Sequence, residues 1–125
     1  MVYAAIGGMQ LKHWTGYFKI IWPTLRVLKQ AKRDPACLHA DTYKFGDVFF
    51  AVSVWEDREA MRTFARSGLH GRLTNTAMEH MKMFHNHTAE FDGVPSKAAA
   101  VEAWKAAMAA RDGKGTVGQY HGQVF

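Results

Sequence analysis

Residues 48–55, VFFAVSVW, alternate as a strand yet have no polar face. Val48, Phe50, Val52 and Val54 fall on one side, and Phe49, Ala51, Ser53 and Trp55 on the other. Side chains of a strand point alternately to opposite faces, so this segment must be covered on both sides to leave water. A chain of 125 residues supplies one domain with one modest core. The covers must therefore come from its few other elements or from a second copy.

Those elements can be read in order. Residues 2–9, VYAAIGGM, form a first strand rather than a signal peptide, since no basic residues precede the apolar run. A helical pattern fills 14–33; Pro23 inside it either kinks the helix or opens a second, longer one. Pro35 ends that pattern, because the residue before a proline avoids the helical region. Residues 38–45 form a strand, joined through Gly46 and Asp47 to the strand 48–55 as a tight hairpin. EDREAMRTFAR then reads as a helix capped by Asp57, with Ala60, Met61, Phe64 and Ala65 as its buried stripe and Gly68 as its stop. Helical pattern resumes over 72–79. Residues 80–91 read as a strand placing Met81, Met83, His85 and His87 on one face. After a break at 92–96, Ser96 caps an alanine-rich helix. The glycine-rich end of the chain is expected to be a mobile arm or an added edge strand.

Strand, helix, strand, strand, helix, strand is the ferredoxin-like split βαβ order, an α+β fold with a four-stranded antiparallel sheet and both helices on one face. Residues 1–93 form that domain; 94–125 are an appended helix and tail. The other face of the sheet would be bare in a monomer. The two-sided strand then predicts a homodimer, with two sheets face to face around a cavity as a dimeric α/β barrel.

The net charge is +5 and the basic residues cluster in 12–33. Lys12, Lys19, Arg26, Lys29 and Arg33 fall on one side of that helix, and Trp14, Tyr17, Ile21, Leu25 and Leu28 on the other. This predicts an amphipathic helix with a solvated basic face rather than a nucleic-acid footprint, with attraction of an anionic ligand or partner as the alternative. Trp22 lies near the basic side and is expected to touch the appended helix around Trp104, or a partner. No run of about 20 apolar residues exists, so no membrane span is expected. The one cysteine, Cys37, can form no intrachain disulfide, which fits a reducing, cytoplasmic setting, and is expected to be buried and inert. Gly-rich phosphate loops, a serine nucleophile elbow and paired CxxC motifs are all missing from the sequence, which removes the usual parts of nucleotide-dependent and serine-hydrolase mechanisms.

FFAVSVWEDREAMRTFARSGLHGRL resembles a block found in the antibiotic-biosynthesis-monooxygenase-like dimeric α/β-barrel proteins, and is most similar to the spheroidene monooxygenase-like branch. The matching parts are Ser53, Trp55, Asp57, Ala60, Met61, Arg62, Phe64, Ser67, Gly68 and His70. LRVLKQAKRDPACLHA is similar to the first helix of these proteins, with Ala36 departing from their usual SPG end. The resemblance spans about residues 14–80 and implies the barrel fold, with the active site in a cavity between each sheet and its helices or its partner. It implies no single reaction, since such barrels include cofactor-free monooxygenases, haem enzymes, cyclases and isomerases.

His70, flanked by Gly68 and Gly71, is the leading candidate for acid–base chemistry or haem ligation; its plainer role is a cation at the helix C-terminus. Arg62 and Arg66, one turn apart, could hold a haem propionate or another carboxylate, or form a solvated face. Phe49, Trp55, Met81 and Met83 could line a pocket for an apolar or aromatic substrate, or make an ordinary core. His85 and His87 lie within reach of one metal ion, with His70, His39 or Asp41 as a third ligand, but lining a mixed polar cavity is the favoured role and no metal site is assigned. The sequence thus points to a monooxygenase-like oxidoreductase acting on a small apolar or aromatic substrate, without cofactor or with haem. A non-catalytic dimeric carrier of a hydrophobic ligand or haem is the alternative.

Overall fold

The computed structural model describes residues 1–66, 80–115 and 118–120. Its elements are β1 (Val2–Leu11), α1 (Gly16–Lys32), β2 (Cys37–Phe45), β3 (Val48–Trp55), α2 (Arg58–Ala65), β4 (Met81–Phe91) and α3 (Lys97–Ala109). The sheet order is β2-β3-β1-β4 with every neighbour antiparallel, the ferredoxin-like arrangement. Gly46 closes the β2–β3 hairpin at a φ of 59°, a left-handed conformation that glycine adopts without strain. Asp57 and Ser96 cap their helices as expected: the Ala60 amide donates to Asp57 Oδ1 at 2.7 Å and the Ala99 amide to Ser96 Oγ at 3.1 Å. α1 runs as a single helix through Pro23, so the proline opens no second helix. The helical pattern at 72–79 and the stop at Gly68 lie outside the described residues.

Two apolar layers flank the sheet, as β3 requires. On one side α1 and α2 bury Leu28, Ala31 and Met61 against Ala40 and Trp55, while Ile20 meets Met9, Phe49 and Met81. Both helices of the βαββαβ order therefore lie on one face. The opposite face is covered by α3 of the same chain, whose Ala100, Val101, Trp104 and Met108 pack on Ala4, Ile6, Val48, Phe50, Val52 and Val54. The face expected to seek a second copy is thus occupied from within, and the bare-sheet argument for a dimer loses its basis. Trp22 touches neither Trp104 nor its neighbours, because α1 and α3 lie on opposite faces.

Trp104 seats α3. In register across the sheet stand Phe50, Gly8 and His85. Gly8 leaves an indole-sized gap: a Cβ there would lie 2.5–2.8 Å from three indole atoms of Trp104. Phe50 closes one side of the gap edge-on at 5.1 Å between ring centroids. From the other side the Trp104 indole N–H donates to the His85 carbonyl at 2.9 Å. A glycine inside a strand often marks such a close approach, and here it admits the largest side chain of the second core.

β4 departs from simple alternation. A register shift at Gln10/Leu11 pairs Met83 with Gln10 but Met81 with Leu11, leaving Lys82 as the extra residue of a bulge. Met81 therefore joins Ile20 on the α1 side, while Met83 joins Trp104 on the α3 side. The expected single row Met81–Met83–His85–His87 is broken at its first member.

Candidate functional site

The sequence-chosen pocket residues are not brought together. Phe49, Trp55 and Met81 belong to the α1–α2 side, and Met83, His85 and His87 to the α3 side. Phe49, Trp55, Met81 and Met83 are core: Trp55 stacks at 5.2 Å on Phe64 and its indole N–H donates to Ser53 Oγ at 2.9 Å. They fill space that a substrate would need. Arg62 on α2 and Arg66 just after it are exposed. His70 lies outside the described residues. Cys37 is half-buried rather than buried; its thiol donates to the His39 carbonyl at 3.5 Å, and burial pushes its pKa up, which keeps it protonated and unreactive.

His85 and His87 share the α3 face, opposite Gly8 and Ile6. His39 and Asp41 lie on β2, at the far edge of the sheet, about three strand spacings (roughly 14 Å) away. They cannot complete a metal site with the β4 histidines, and no group of three potential ligands occurs among the described residues. His85 is instead a buried imidazole, 7% exposed, whose Nδ1 has no hydrogen-bond partner. Burial lowers its pKa from the ordinary 6.5, and the positive charge of Arg111 and then His87 lowers it further. Between that lowered value and 6.5 the unfolded chain binds the proton that the folded chain refuses, so stability rises with pH through this window. Thermal melts should show Tm level above neutrality and falling as pH drops below 6.5, with the slope reduced in His85→Gln.

A concave site does exist, where β1 hands over to α1. Lys12, His13, Thr15, Gly16, Lys19 and His80 line a pocket of about 330 Å³. The Lys12 amide donates to the His80 carbonyl at 2.9 Å, tying the end of β1 to the start of β4. Gly16 lies beside His80 and Leu11, whose side chains a Cβ there would meet at ordinary contact distance, 3.7–3.8 Å. The start of α1 has no side-chain cap and no acidic residue in its first turn. The Gly16 amide donates to the His13 carbonyl at 2.9 Å, and the positive end of the helix dipole adds to two ammonium groups, so the pocket favours a negative charge. Two imidazoles beside that charge give it groups that can take and return a proton. Lys12 and Lys19 stood out in the sequence only as part of the basic face, and the other four residues not at all. The available signal was an uncapped helix start, TG, between two lysines, with no acid nearby to neutralise it.

Solved structures carry the same fold. The chain aligns with an antibiotic biosynthesis monooxygenase at 18% identity, TM-score 0.61, covering 74% of this chain and 99% of that one. It aligns with SnoaB, a cofactor-independent oxygenase from Streptomyces nogalater, at 10% identity, TM-score 0.63, covering 77% and 98%. Rv0793 from Mycobacterium tuberculosis aligns at 11% identity, TM-score 0.68, covering 77% and 100%. No family model matches the chain, and no curated protein sequence does. The fold is that of the antibiotic-biosynthesis-monooxygenase-like proteins. About a quarter of this chain has no counterpart in these three, which match over nearly their whole lengths.

Proposed function

We propose that this chain is a monooxygenase-like enzyme that needs no bound cofactor and oxidises a small aromatic substrate bearing an acidic C–H or O–H group. The observation that carries this reading is the pocket at the start of α1, where two imidazoles stand beside two ammonium groups and the positive end of the helix dipole. A histidine removes the substrate proton, and the lysines and the helix dipole hold the resulting enolate or phenolate. That anion is electron-rich enough to reduce dioxygen. For an activated methylene the balance is R₂CH₂ + O₂ → R₂C=O + H₂O, with both reducing electron pairs drawn from the substrate. His80 and His13 are the bases that line the pocket; His80, held against the end of β1, is taken as the first choice, and His13 and His70, the sequence's candidate, are tested beside it.

SnoaB is a cofactor-independent oxygenase, which supports this reading by analogy of fold. Arg62 and Arg66 are exposed on the surface, and no step of the proposed reaction passes through a haem. The carrier alternative draws no support from the residues expected to form its hollow, because these fill the core. The test is oxygen uptake by the purified chain with a panel of hydroxynaphthalenes and 1,3-diketones. Uptake coupled to product formation, in protein freed of metals and lacking absorption near 400 nm, supports the reading. Turnover that requires added hemin, or no turnover across the panel, overturns it.

A further inference from the structure

We propose that the outer face of α1 docks this protein on the surface of an anionic lipid bilayer. The helix was expected to expose a basic face, with Trp22 near it covered by the appended helix or a partner. The turn that leads into α1 exposes Trp14 at 73%, and the helix exposes Phe18 and Trp22 at 66% and 67%, with Leu25 one turn further on. These residues are spaced by four, four and three, which sets them in one stripe about 16 Å long. Trp14 and Phe18 meet edge-on at 6.0 Å, so the stripe begins as a continuous aromatic surface. It lies directly opposite the buried side of the helix, where Ile20, Thr24, Val27 and Ala31 face the sheet. α1 is therefore apolar on two opposite sides, and only one of them serves the fold.

Charge decides what covers the second side. Residues 12–33 contain six lysines and arginines and no acid, more positive charge than the +5 of the whole chain. Lys19, Arg26 and Lys29 are exposed along the edge of the stripe. A second copy docked through this face would bring two such cationic rows together, which opposes self-association. An anionic surface is complementary. The stripe is a convex ridge on the outside of a helix; single-stranded nucleic acid binds in grooves, whereas a bilayer admits a ridge into its headgroup layer. Large aromatic residues with lysine and arginine beside them are the composition that settles at a membrane–water boundary, the rings about 5–10 Å deep and the cations among lipid phosphates. No helix among the described residues is long and apolar enough to cross a membrane, so the contact is with one leaflet.

The inference does not depend on the proposed chemistry, and its test involves no turnover. The full chain is floated with phosphatidylcholine vesicles and with vesicles containing roughly one third phosphatidylserine, at low and high salt. It should float with the anionic vesicles at low salt and be largely released at high salt. Trp14→Ser with Trp22→Ser should weaken binding by about tenfold or more, and Lys19→Glu with Arg26→Glu by about tenfold. All four side chains are exposed, so the circular dichroism of both double variants should match the parent. Failure to float with anionic vesicles overturns the proposal, as does flotation that ignores both double variants. So does a dimer, or tighter binding of a single-stranded oligonucleotide, that these same substitutions abolish.

Discussion

Trp104→Ala is expected to lower stability by about 3–5 kcal/mol, a large part of what a domain of this size possesses. The indole is fully buried and fills a slot built by three strands: Gly8 as its floor, Phe50 on one side and the His85 backbone on the other. Removing it leaves a cavity that Gly8 cannot fill, deprives the His85 carbonyl of its donor, and loosens α3 from the sheet. The exposed face of β3 would then be Val48, Phe50, Val52 and Val54. Urea unfolding should show the midpoint moving sharply down, with concentration-dependent self-association appearing in sedimentation. Trp22→Ala is the control, because that ring is exposed and its loss should change stability by about 0.5 kcal/mol or less. Gly8→Ala approaches the same contact from the other side: its methyl would overlap the indole, at a cost of about 1–3 kcal/mol. Parent-like midpoints for both Trp104→Ala and Gly8→Ala would show that α3 is not part of the core.

The fold was legible because local signals agreed. The two-faced VFFAVSVW run demanded two covers, and two covers are present. The hairpin glycine, the Asp57 and Ser96 caps and the proline after α1 marked element ends closely enough to give the ferredoxin-like order. The identity of the second cover was not legible. A strand's need for burial does not say whether a helix of its own chain or another copy meets it, and α3 reads as a featureless alanine-rich helix until Trp104 is placed on Gly8. The paired glycines of β1 were the missed signal. The bulge in β4 was invisible for a different reason: alternation assumes an unbroken register, and one extra residue moves Met81 to the opposite face.

Site reading failed through the same assumption at larger scale. Grouping Phe49, Trp55, Met81, Met83, His85 and His87 presumed one hollow, whereas the sheet lies between the two sets. The basic helix misled in another way. Its periodicity separates charged from apolar positions, but Trp14 and Leu25, assigned to the buried side, are exposed, and Phe18 and Trp22 stand beside the lysines. Burial is decided by what packs against a helix, and β1, β2 and β3 reach only the side carrying Ile20, Thr24, Val27 and Ala31.

For a hydroxynaphthalene or diketone that the parent oxidises, His80→Ala should lower kcat by about 10²–10⁴-fold, the usual worth of a positioned general base. The pocket fixes His80 through its backbone, since the Lys12 amide binds the His80 carbonyl, and that bond survives truncation of the ring. The side chain is only half-buried, so the variant should keep the parent's circular dichroism and melting temperature. Lys19→Met tests the other half of the site. An ammonium group that binds ground-state and transition-state anions alike should raise KM with little change in kcat, whereas loss of the base should lower kcat with KM nearly constant. That division separates the two roles more firmly than either loss alone. His70→Ala is measured in parallel. A collapse of kcat there, with His80→Ala unaffected, assigns the proton transfer to His70 and overturns His80 as the base. If His80→Ala, His70→Ala and His13→Ala all turn over like the parent, none of the three imidazoles moves the proton and the acid–base reading fails.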